Sequence, residues 1–136
     1  MPTTRWNDHP LLKGEREMGK TAITINGDDA KSVYPAIIIA VSAAATGDEV
    51  VLFFSPFGAP IMLKGAFEKL SEKTEHMPDL MEMVEGLKML GAKFLVCELA
   101  FELHGFKEED LIEEAEVVGA TTFVGAAQGA ELTLSF

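Results

Sequence analysis

The 136-residue chain carries 11 lysines and arginines against 22 aspartates and glutamates, a formal net charge of −11 at neutral pH, and 48% of its residues are hydrophobic. Such a field repels phosphate backbones and anionic lipid heads, which makes nucleic acid and membrane surfaces poor partners, and the apolar content is too high for a disordered chain. A single cysteine excludes an intramolecular disulfide framework, so one domain of this length must fold by packing alone.

Residues 1–20 read as a polar N-terminal extension with Trp6, Leu11 and Leu12 as its only anchors, and 21–136 as one α/β domain. The longest apolar stretch, Ala36 to Ala45, is far short of the roughly 20 residues that a bilayer span requires, and the N-terminus has no apolar signal core. A cytoplasmic location is the expectation. Thr21 to Ile25 alternates polar and apolar residues as a strand does, and Asn26, Gly27, Asp28 and Asp29 supply a turn and helix caps. Val33, Ile37, Ile38, Val41 and Ala45 then recur at helical spacing, with Pro35 expected in the first turn and Gly47 just past the end. The all-apolar run Val50 to Phe54 suits a strand covered on both faces, and Ser55 to Pro60 is the loop at its carboxyl end.

A short helix is predicted over Ile61 to Leu70, and a second from Pro78, with Leu80, Val84, Leu87 and Leu90 on one face. Phe94 to Cys97 reads as a buried third strand that Glu98 breaks. Acidic Glu108, Glu109 and Asp110 suit the first turn of a helix over Lys107 to Val118, closed by Gly119. Thr121 to Val124 and Leu132 to Phe136 are the last predicted strands, with a loop from Gly125 to Ala130 between them. Strands alternating with helices in this way predict a mostly parallel five-stranded sheet with helices on both faces.

Ligands of such sheets gather outside the carboxyl ends of the strands, which makes Cys97 a candidate nucleophile. The competing reading is that it packs as a small hydrophobe, the usual fate of a free cysteine. His104, seven residues on, is a candidate base or orienting group, or else a helix-end residue facing water. Glu98 and Glu102 share a face if the intervening residues are helical; paired carboxylates are ordinarily solvated surface, and one beside a thiol raises its pKa. Ser55, Phe57 and Gly58 from one rim loop, Gly125 from another, and Glu98 are the expected pocket residues. His9, His76 and His104 with one cysteine lack the spacing of a metal site, and no glycine-rich phosphate motif occurs, so neither metal nor cofactor is expected. Met77, Met81, Met83 and Met89 cluster around one predicted helix as adaptable core packing or, alternatively, a partner groove.

Three stretches resemble the DsrE/DsrF-like proteins: Gly91-Ala92-Lys93-Phe94-Leu95-Val96-Cys97, Gly105-Phe106-Lys107-Glu108-Glu109-Asp110-Leu111-Ile112, and Val118-Gly119-Ala120-Thr121-Thr122-Phe123. The similarity runs from about Lys20 to Phe136. It implies a flavodoxin-like three-layer sandwich, a homo-oligomer that is commonly a trimer or hexamer, and a persulfide on Cys97 handed between protein donor and acceptor. Glu98-Leu99-Ala100-Phe101 departs from the small polar residues or methionines usual after that cysteine. The expected function is a cytoplasmic sulfur carrier or sulfurtransferase. The alternative is a noncatalytic subunit that binds a small ligand or a partner tail, and a redox thiol enzyme would need a resolving cysteine from another chain.

Overall fold

The computed structural model describes residues 19–136, so the extension carrying Trp6, Leu11 and Leu12 lies outside the described residues. The chain forms β1 (Lys20–Ile25), α1 (Ala30–Ala45), β2 (Glu49–Phe54), a 3-10 turn (Ala59–Met62), α2 (Ala66–Lys73), α3 (Leu80–Met89), β3 (Lys93–Cys97), α4 (Leu99–His104), a second 3-10 turn (Glu108–Asp110), β4 (Ala115–Val118), α5 (Ala120–Ala127) and β5 (Leu132–Ser135). All four strand pairings are parallel, in the order β4-β3-β2-β1-β5. This is the expected flavodoxin-like arrangement, with one strand on one side of β1 and three on the other; the lone flanking strand is the last in sequence rather than the second.

Connectivity dictates the layers. Steps from β1 to β2, β3 and β4 all run the same way across the sheet, so right-handed crossovers stack their helices on one face. There Ile23, Ile25, Leu52, Phe54, Phe94 and Val96 pack against Val33, Ile37 and Ala40 of α1, Val84 and Leu87 of α3, and Ala100 of α4. The return from β4 to β5 crosses the sheet in the opposite sense, which sends α5 to the other face. On that side Val51, Phe53, Leu95, Cys97 and Val118 form a second, smaller cluster beneath Phe123 and Ala126.

Local chemistry explains the boundaries. Asp29 stands at the N-cap position of α1, where its backbone carbonyl accepts from the Val33 amide and its carboxylate accepts from the Ser32 hydroxyl at 2.8 Å. At the other end Gly47 adopts φ 97°, and the Gly47 and Asp48 amides return to the carbonyls of Ala44 and Ala43, closing the helix as a Schellman motif. Pro35 does not sit in the first turn as expected, because α1 begins at Ala30; it lies one turn further in, where it removes one helical N–H. The helix predicted over residues 61–70 is divided by Gly65, at φ 85°, into a 3-10 turn and α2, which runs on to Lys73.

Two expectations are overturned. Residues 107–118 are not a helix: the Asp110 carboxylate accepts from the Lys107 amide at 2.8 Å, which closes one acidic 3-10 turn, and Ala115 to Val118 then pairs with β3 as an edge strand. Thr121 to Val124 is not a strand, because the crossover from β4 to β5 needs a helix, and α5 occupies those residues with Gly119 as its N-cap rather than as the end of a preceding helix.

Candidate functional site

Adjacent strands whose connections leave on opposite faces create a crevice at their carboxyl ends, and in this sheet those strands are β3 and β4. Their last residues, Cys97 and Val118, are register partners. The Glu98 amide donates to the Val118 carbonyl at 2.9 Å, which extends the pairing one residue past the thiol. Two helices start at this point, α4 after Glu98 and α5 after Gly119. The chain therefore places Cys97 at the topological switch of the sheet.

The side chain of Cys97 belongs to the α5 face. It is 3% exposed and belongs to a buried cluster with Val51, Phe53, Leu95 and Val118, against which Phe123 and Ala126 of α5 pack. The Phe123 ring stacks on Phe53 at 4.5 Å between centroids, and Lys20 Nζ donates to the carbonyls of Ala126 and Gln128 at 2.9 Å each, pinning the end of α5 to β1. An open pocket at the sulfur, expected from its strand-end address, is therefore not what the fold presents; the side chain is buried in that cluster. On the same face, separated from β3 by β2, a groove of about 240 Å³ runs between α5 and the β1–β5 pair, lined by Ala22, Thr24, Phe123 and Thr133.

Glu98 is exposed, and its carboxylate lies against the start of α5: a methyl group added to Gly119 would sit 3.3 Å from Glu98 Oε1. A carboxylate at that place faces the positive end of the α5 dipole. His104 is turned elsewhere. Its Nε2 donates to the Pro56 carbonyl at 2.7 Å, and its ring lies parallel to Phe106 at 5.4 Å. Among the described residues no hydrogen bond joins His104 to Cys97, so His104 acts as a clasp between α4 and the loop after β2.

That loop is fastened to β1. The Ser55 amide and hydroxyl both donate to the Ile25 carbonyl, at 3.1 and 3.4 Å. A Cβ on Gly58 would fall 2.0 Å from the same oxygen, so close packing explains this glycine. Phe57 projects from the loop, 66% exposed. Gly125 is not a loop residue as expected: it lies within α5, exposed, with nothing within 4 Å of an added Cβ. Sequence reasoning missed Phe123 and Ala126, which pack against the cluster that holds the thiol, since they fall in the segments read as a strand and a loop. Among the described residues no group of three His, Cys, Asp or Glu side chains is placed to hold a metal, and no helix is long and apolar enough to cross a membrane.

The model of the DsrE/DsrF/DrsH-like family matches residues 17–77 and 60–135, which together span nearly all of the chain. The chain belongs to the DsrE/DsrF/DrsH-like family. Over 124 residues it is 31% identical to an uncharacterized protein of Methanocaldococcus jannaschii, a match covering 84% of this chain and 44% of that protein. The chain thus spans less than half the length of that curated relative. The fold is similar to that of the ychN protein from E. coli, with a TM-score of 0.71 and 19% identity over 88% of this chain and all of the other. It is also similar to MTH1491, a protein of unknown function from Methanobacterium thermoautotrophicum, with a TM-score of 0.65 and 16% identity over 87% and 99% of the two chains. At these identities the likeness concerns the fold, an all-parallel five-stranded sheet between helices.

Proposed function

We propose that this chain is a cytoplasmic sulfur carrier that acts through Cys97 and assembles as a homo-oligomer. The observation that carries this reading is the position of Cys97, the sole cysteine, at the crevice between the carboxyl ends of β3 and β4. Family membership supports the same chemistry. The Cys97 thiolate attacks the outer sulfur of a donor persulfide R–S–SH. One S–S bond forms as another breaks, leaving Cys97–S–SH and a donor thiolate R–S⁻. An acceptor thiolate then attacks the outer sulfur, takes it, and regenerates the Cys97 thiolate. No net oxidation occurs, so no redox cofactor enters. Because Cys97 is only 3% exposed, transfer requires a local opening that brings the sulfur to the surface.

The same burial favours a second reading, in which Cys97 only packs and the molecule is a binding subunit whose ligand lies in the groove between α5 and the β1–β5 pair. Intact-mass measurement after incubation with inorganic polysulfide separates the two. A carrier gains a reducible increment of one sulfur, about 32 Da, on the wild type and none on Cys97→Ala. A wild type that stays unmodified, with a thiol inert to iodoacetamide under native conditions, establishes the binding subunit instead.

A further inference from the structure

Three large apolar side chains stand exposed at the edge of the sheet that carries Cys97: Leu99 at 61%, Leu103 at 51% and Phe57 at 66%. Leu99 and Leu103 are four residues apart in α4 and form one stripe along it. Glu98 and Glu102, also exposed and four apart, form the stripe beside it, while Ala100 faces the core. Phe57 is held near the far end of α4 by the His104–Pro56 hydrogen bond. Residues 98–110 hold five carboxylates and a single lysine, Lys107. The result is an apolar ridge with an acidic border, beginning two residues after the thiol.

We infer that this ridge docks the protein partner in sulfur exchange, and that the partner presents leucine-like side chains flanked by lysine or arginine beside its own thiol. The inference rests on the carrier reading above and adds the chemistry of the partner's surface. Charge complementarity selects that occupant. A second copy of this chain would set Glu98 and Glu102 against their equivalents across a two-fold axis, and in a ring contact would bring another surface of a chain whose net charge is −11, whereas like charges juxtaposed across an interface are strongly disfavoured. An anionic membrane is repelled by the same carboxylates. A basic segment gains steering from them and fixes its register on the two leucines. Such a contact also lies against Glu98, which follows Cys97 directly and whose carboxylate borders the start of α5.

The test uses two fluorescent peptides of one length, each with a serine between two leucines in place of the partner's cysteine. One peptide is flanked by arginines and the other by glutamates, and anisotropy reads their binding to the intact protein. The arginine peptide is expected to bind more tightly. The double substitution Glu98→Gln with Glu102→Gln should weaken it about threefold to fivefold, the sum of two exposed ion pairs. Raising ionic strength from about 0.1 M to about 1 M, where the screening length falls from about 10 Å to about 3 Å, should remove the preference. Leu99→Ser with Leu103→Ser should abolish binding of both peptides; because both leucines are exposed, folding is retained and is checked by circular dichroism. Equal binding of the two peptides, or arginine-peptide binding indifferent to all four substitutions, overturns the docking surface. So does light scattering that shows an oligomer dissociated by the leucine substitutions, since the occupant is then a second copy. Sulfur loading of Cys97 by polysulfide is measured in parallel. Loading without peptide selectivity refutes the docking surface alone, and selectivity without loading refutes the carrier reading while the surface stands as a binding site.

Discussion

Two glycines that the sequence leaves indistinguishable behave in opposite ways at the residue scale. Gly58 packs its α-carbon onto the end of β1, where a methyl group would meet the Ile25 carbonyl oxygen at 2.0 Å. That neighbour is backbone held in a sheet and cannot rotate aside. Gly58→Ala should therefore lower stability by about 2 kcal/mol, as forced overpacking does. Gly125 lies in a helix interior with open space around it. Gly125→Ala should raise stability by about 0.5–1 kcal/mol, the difference in helix propensity. Urea midpoints of the two variants check both signs, and a destabilised Gly125→Ala would contradict its place in α5. Both positions read as rim loops because glycine announces a turn in sequence; whether it answers to a turn, to crowding or to neither depends on atoms distant in the chain.

The helix α5 packs on the face of the sheet to which the thiol belongs, and it is the element least legible in the sequence. Residues 121–124 are rich in β-branched and aromatic side chains and read as a strand, yet they must bridge β4 to β5 across the sheet, and that topological demand overrides propensity. The segment before it misleads in the same way: three consecutive acids resemble the first turn of a helix, and β4 is a four-residue edge strand in which only Val118 is fully buried, too short for an alternation signal. By contrast β2 and β3, buried on both faces, are continuous apolar runs and were readable directly. The address of Cys97 followed from the end of β3, whereas the layer packed on its face of the sheet did not, because Phe123 and Ala126 belong to the misread helix. Phe123→Ala removes the ring stacked on Phe53 and loosens the cluster that holds Cys97. It should lower stability by about 2 kcal/mol and raise the alkylation rate of Cys97 about tenfold through local opening. Phe101→Ala, on the opposite face of the sheet and packed edge-on to Phe106, is the control that should destabilise without that acceleration. Equal rates in the two variants would mean that the thiol is reached only by global unfolding.

For the molecule as a whole, the excess of carboxylates makes the acid limb of stability the informative one. Most of the acidic side chains are exposed, so protonating them relieves self-repulsion without breaking a contact. Two carboxylates run against that trend. The Ser32 hydroxyl holds the Asp29 carboxyl below its ordinary range at the start of α1. The Lys88 ammonium, 3.0 Å away, does the same for Glu114, tying the end of α3 to the entry of β4, and Glu114 in turn raises the pKa of Lys88. For a carboxyl whose folded pKa lies below its unfolded value, the stabilisation is complete above the unfolded pKa and is lost as pH falls through the folded one. Asp29→Asn keeps an oxygen that can accept from the Ser32 hydroxyl, and Glu114→Gln keeps the shape of its residue, while neither can titrate. Measured by urea midpoint from about pH 7 to about pH 3, the double variant should start below the wild type and lose less stability on acidification, because only the wild type must protonate these two groups before it unfolds. Parallel curves would mean that the two contacts add nothing to the folded state beyond what solvent supplies, and that packing alone holds α1 and the β4 edge in place.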